Sequence, residues 1–145
     1  VTAAERKRGF LEEMGRSGVA TSGIPTIEDL HDEEMAYAAT LELLGGPDRP
    51  TALFTSQNLV TIGAIRALRQ LELHRDIALI GFDDIALADL LQPGITVITQ
   101  NPREIGRLAA ERVFARLDGD EQPERTYVVP THLIIRGSGE IPPHV

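Results

Sequence analysis

Apolar residues recur along this chain in two alternating rhythms, one helical and one strand-like. Phe10, Leu11 and Met14 fall at helical spacing behind Thr2-Ala3-Ala4-Glu5, which has the form of a capping box. A helix is predicted to open there and to end within Gly15 to Gly18. Gly23 to Leu30 reads as a short strand-like stretch. Asp32, followed by Glu33 and Glu34, predicts a second helix start, with Met35, Ala38, Ala39 and Leu43 inward and Gly45-Gly46-Pro47 as its stop. Thr51 to Thr55 is a short β-rich run, and a helix over Asn58 to Leu71 follows with Ile62, Ile65, Leu68 and Leu71 inward. Ile77 to Phe82 is apolar almost without interruption, as a strand covered on both faces should be. Ile95 to Thr99 is another β-branched run.

Asn101-Pro102-Arg103-Glu104 supplies a cap, a proline at the first helical position and an acidic residue in the first turn. Ile105, Leu108, Ala109, Val113 and Leu117 carry that helix to Asp118-Gly119. Two short strands, Thr126 to Val129 and His132 to Ile135, are predicted to finish the ordered part, and Gly137 to Val145 to form a loose tail. Strands alternating with helices predict an α/β fold: a mostly parallel sheet with helices on both faces.

The 145 residues fit one domain able to bury a core, and 42% of them are apolar, the usual share for a soluble globular chain. No apolar run approaches the roughly 20 residues that span a bilayer, and the polar N-terminus does not resemble a signal peptide. The absence of cysteine excludes disulfides and thiolate metal sites, and fits a cytoplasmic location. A formal charge of −8, with basic residues scattered, argues against a DNA-binding surface on this chain, because displacing counterions from phosphates needs a basic stripe.

In an open parallel sheet, ligands bind beyond the carboxyl ends of the strands. Here those ends run into Ser56-Gln57-Asn58, Asp83-Asp84 and Gln100-Asn101. Amides that donate and accept, beside carboxylates that accept from vicinal hydroxyls, suit a small polyhydroxylated or heterocyclic ligand. Plainer roles are open to several of them. Ser56, Asn58 and Asn101 can cap helices, and Asp84 can be a solvated loop residue; Asp83, directly after the most buried strand, is the stronger site candidate. His31, His74, His132 and His144 lie far apart without metal spacing, and no nucleophile elbow, phosphate loop or dinucleotide fingerprint occurs. An enzyme is therefore not expected, nor a metal or cofactor.

Five segments in register carry a resemblance: Thr2 to Phe10, Gln57 to Ala64, Leu79-Ile80-Gly81-Phe82-Asp83-Asp84, Gln92 to Gln100, and Leu133-Ile134-Ile135-Arg136-Gly137-Ser138. Together they resemble the LacI/GalR family of bacterial transcriptional repressors. That resemblance implies a periplasmic-binding-protein-like effector domain of two lobes. Residues 1–100 would form the C-terminal lobe, 101–128 would cross to an incomplete N-terminal lobe, and 129–145 would return as the final strand and tail. The family's helix-turn-helix headpiece is expected to lie outside this chain, so DNA would be reached only through it. By position, the effector contacts would be Arg6, Gln57 and Asp83, with Thr2, His31 and Gln100 as further positions. Each keeps an alternative: Arg6 as an exposed helix charge, Thr2 as a cap, His31 as a lone loop residue.

The resemblance further implies a homodimer, with Ile62 and Leu91 at dimer positions that could equally be core. The implied effector is sugar-like or purine-like, and no membrane partner is expected. Gln57-Asn58 departs from the family's usual Asn-Asp, which lengthens one side chain and removes a carboxylate from the pocket. The competing reading is a solute-binding receptor of the periplasmic type, which would share the fold. The apolar face of the helix at 102–118 is expected to lack partners in this chain and to favour self-association.

Overall fold

The computed structural model describes residues 2–143, so Val1, His144 and Val145, with the end of the predicted tail, lie outside the described residues. Its elements are α1 (Thr2–Arg16), α2 (Glu33–Gly45), β1 (Ala52–Thr55), α3 (Asn58–Gln70), β2 (Ala78–Phe82), β3 (Thr96–Thr99), α4 (Pro102–Leu117) and β4 (His132–Ile134). The strands lie side by side in sequence order; β1, β2 and β3 run parallel and β4 pairs antiparallel with β3.

Alternation along the strands sorts their side chains between two faces. Leu53, Leu79 and Val97 share one face with Ala64 and Leu68 of α3, and Leu44, Ile77, Ala88 and Ile95 complete this core. Phe54, Ile80 and Phe82 take the other face. There α1 stacks Phe10 on Phe54 with ring centroids 5.4 Å apart and lays the Arg6 guanidinium over the Phe82 ring. The sheet thus carries helices on both faces, as the rhythm predicts.

Helix α2 is turned differently from its prediction. Its buried residues are Ala36, Thr40 and Leu44, while Met35 faces solvent. The cause is close packing on α3, where a Cβ added to Gly63 would meet the Glu33 carbonyl and the Ala36 methyl. A helix that comes this near needs small residues on its contact face. Helix α3 likewise buries Thr61, Gly63, Ala64, Ala67 and Leu68, leaving Ile62, Ile65 and Leu71 only half-buried.

Two predicted strands do not form. Gly23 to Leu30 is a 3₁₀ turn at Thr21–Gly23 followed by irregular chain, and Thr126 to Val129 is irregular and mostly exposed. Both have strand-like composition, but among the described residues no neighbouring strand satisfies their N–H and C=O groups. Thr2 lies within helix α1, whose cap is outside the described residues.

The tail is not loose where it leaves β4. Ser138, only 2% exposed, accepts a hydrogen bond from Thr96 N (2.9 Å) and donates one to Leu79 O (2.6 Å), stitching β2 to β3. A Cβ at Gly139 would come within 2.9 Å of the Ile80 side chain and 3.1 Å of that of Thr96, so a side chain there would force its neighbours to shift. By contrast, α4 buries none of its residues; Val113, Phe114 and Leu117 are exposed.

Candidate functional site

The site is assembled at the carboxyl ends of β1, β2 and β3, and the sheet register fixes their relative heights. Thr55 sits opposite Gly81, and Phe82 opposite Ile98. Each strand therefore releases its next residues at the same edge.

Arg6 reaches this edge from α1. Its Nη1 donates to Ser56 O at 2.6 Å, and its guanidinium carbon lies 3.6 Å from the Phe82 ring centroid. A guanidinium clamped between a carbonyl and an aromatic face retains further N–H donors in a fixed plane. Arg6 is half-buried, and among the described residues no carboxylate pairs with it. Thr2 stands four residues earlier on the same helix, hence on the same face as Arg6, and is exposed.

Gln57 occupies the N-cap of α3, yet its side chain does not cap; Nε2 donates to Leu30 O at 2.8 Å. This contact draws the irregular segment before α2 against the edge, leaving exposed His31 beside the gripped residue. Beneath Gln57 lies a buried hydroxyl pair: Thr55 and Thr61 are 2.8 Å apart, and Thr61 donates onward to Gln57 O at 3.0 Å. A Cβ at Gly81 would strike Thr61, so the glycine in β2 makes room for this relay.

Asp83 leaves β2 with φ of 67°, the left-handed region that side chains seldom adopt, although aspartate tolerates it better than most. Its N–H extends the ladder to Ile98 O (2.9 Å), and its Oδ1 accepts from Gln100 Nε2 at 2.7 Å. Asp83 and Gln100 are therefore in direct contact. Arg6 and Gln57 are tied to neighbouring chain at the same edge, Arg6 through Ser56 and Phe82, the residues preceding Gln57 and Asp83. Gln100 also borders an open groove of about 470 Å³ lined by Leu108, Arg112 and Tyr127.

Neighbouring polar residues resolve into structural roles. Asn101 caps α4 by accepting from Glu104 N (3.0 Å), and Asn58 Oδ1 accepts from Leu59 N (2.8 Å). Asp84 is an exposed loop residue, as expected, and also the bidentate partner of Arg136, at 2.7 and 2.8 Å; the guanidinium holds the Asp84 carboxyl below its ordinary range. Leu91 packs against the core, and Ile62 is half-buried. Sequence reasoning missed Phe82 as the platform under Arg6, and Arg136 as the partner of Asp84. The aromatic directly before Asp83 was the only local signal for either. Among the described residues no cluster of three or more potential metal ligands occurs, and no helix is long and apolar enough to cross a membrane.

Residues 1–139 match the family model described as a periplasmic binding protein-like domain. The chain is 36% identical over 137 residues to the HTH-type transcriptional regulator PtxS of Pseudomonas aeruginosa, a match covering 92% of this chain and 39% of that protein. It is 34% identical over 136 residues to the ribose operon repressor of Escherichia coli K12, covering 92% and 41%. A solved regulatory protein of the LacI family from Chloroflexus aggregans superposes with a TM-score of 0.79 at 33% identity, over 92% of this chain and 49% of that one. The chain spans about two-fifths of these curated relatives.

Proposed function

Because the chain belongs to the periplasmic-binding-protein-like family, as an effector-binding domain of the LacI/GalR type, we propose that it senses a small sugar-like or nucleobase-like effector for a cytoplasmic transcriptional regulator. The ligand would lie against the sheet edge, with Arg6 donating, Asp83 accepting from hydroxyl or N–H groups, and Gln57 and Gln100 doing either. Thr2 and His31 would border it. Residues 101–128 would belong to a second lobe, and 129–145 would return to the first. Ligand binding would shift the angle between lobes, and so the spacing of paired headpieces on DNA. Such a switch requires different effector affinity for the two lobe arrangements.

One observation carries the reading: a cationic fork, a carboxylate and two amides are anchored at one edge of a parallel sheet, with Asp83 and Gln100 in contact. The homodimer would use Ile62 and Leu91, whose chain neighbours Leu59 and Leu90 are exposed apolar residues. The test is Asp83→Ala in the full-length regulator. Effector-dependent release from DNA should be lost while DNA binding without effector persists. An unchanged effector response would remove Asp83 from the site and the reading with it.

A further inference from the structure

We propose that Asp84 and Arg136 form a latch that positions Asp83 and Gln100, so that the segment following β4 sets the geometry of the effector edge. This inference rests on the effector reading for its purpose, but its physical content stands on the contacts alone.

Asp83 is held in the left-handed region, and the direction of its carboxylate depends on that backbone geometry. Asp83 itself is pinned on one side by the bond from its N–H to Ile98 O. On the other side the peptide continues into Asp84, whose carboxylate does two things. Its Oδ1 accepts from Ile85 N (3.0 Å), closing the turn, and both its oxygens receive the Arg136 fork. Further along, Ile85 packs on the core and Ala88 N–H donates to Ile85 O (3.3 Å), so the Arg136 fork is the charged anchor nearest the strained residue and adds to this apolar footing.

Arg136 is suited to be the fixed partner. Its own N–H donates to Thr96 Oγ1 (3.0 Å), and Thr96 is fully buried in β3. Its Nη1 also donates to Ile95 O at 3.3 Å, and only 19% of the side chain is exposed. One residue thus joins the end of β4, the start of β3 and the turn after β2. A planar fork matched to a carboxylate fixes direction as well as distance, which a lysine ammonium does not. The latch reaches no ligand; it acts through Asp83.

The test needs no effector. Backbone amide exchange and the Gln100 side-chain amide resonance are measured by NMR in the chain carrying Asp84→Asn or Arg136→Lys. Loss of the charged fork should speed exchange at Asp83 N–H by about tenfold or more, the equivalent of one charge-assisted hydrogen bond. The Gln100 side-chain signal should move with it, while Leu79 and Val97 amides keep their protection. Arg136→Lys, which keeps the charge but loses the planar fork, should fail to hold the edge. Asp84→Asn keeps the shape of a partly exposed side chain, so it tests the latch even if Arg136 variants unfold. Unchanged Asp83 and Gln100 signals, or equal acceleration across the whole sheet, would overturn the proposal. Failure to find an effector would count against the proposed function and leave these readouts untouched.

Discussion

Gly63 offers a sharp test of the packing that carries Gln57. A methyl group there would meet the Glu33 carbonyl and lie 2.7 Å from both the Ala36 Cβ and the Tyr37 nitrogen. Two of these three atoms are main chain, so no rotamer change relieves the clash. Ordinary contact requires α2 to retreat from α3 by about 1 Å, which opens space beside Ala36 and Thr40. Overpacking of this kind costs about 1–3 kcal/mol, while alanine in place of glycine returns about 1 kcal/mol of helix propensity. Because the obstacle is backbone, the net for Gly63→Ala should be a loss of about 1–2 kcal/mol, and Tm should fall by roughly 3–8 °C for a chain of this length. Gly9 and Gly106 are the controls: both lie in helices and an added Cβ would meet nothing within 4 Å. Gly9→Ala and Gly106→Ala should hold or raise the Tm by helix propensity alone. Thermal melts of all three variants, followed by circular dichroism, decide the matter. A Gly63→Ala protein as stable as its parent would show that α2 and α3 are not packed this closely.

Ser138→Ala should destabilise the fold by roughly 2–4 kcal/mol, since the buried Thr96 N–H and Leu79 carbonyl would both lose a partner; urea unfolding measures it, and a loss below 1 kcal/mol would contradict the stitching role. The Arg136 guanidinium holds the folded Asp84 carboxyl below its unfolded value near 3.8, so its stabilisation is present above that value and is lost as pH falls through the lower folded one. Asp84→Asn should therefore flatten the stability curve on its acid side, below about pH 4, with a small effect at pH 7 because the carboxylate is partly exposed. Asn101→Ala should weaken the start of α4 by about 1 kcal/mol. Since α4 buries no residue, this should appear as faster amide exchange in that helix rather than as a lower global Tm.

The parallel strands were legible because fully covered strands are apolar on both faces, and β2 is buried at four of its five positions. Helix α2 was misread because apolar residues surround it: Met35, Ala36, Ala38, Ala39, Leu41 and Leu44 leave no single stripe to choose. Its orientation is decided by Gly63, on another helix. Strand-like composition at 23–30 and 126–129 could not reveal that no partner strand lies beside them. Ser138 was assigned to a loose tail because glycine and proline surround it, whereas its burial depends on Leu79 and Thr96, 59 and 42 residues away. The same divide runs through the site. That polar residues gather at the strand ends follows from parallel topology, so Gln57, Asp83 and Gln100 could be named in advance. The pairing of Asp84 with Arg136 spans 52 residues and leaves no local trace.

The backbone at Asp83 has a consequence for any effort to toughen this protein. Glycine would adopt a φ of 67° without steric penalty, whereas aspartate does so at some cost. A scheme that ranks substitutions by thermal endurance alone would favour glycine there, and would erase the edge's carboxylate in the same stroke. Under the proposed effector role, durability and recognition would pull against each other at this one position, and a hardier variant chosen blindly is expected to be a deaf one.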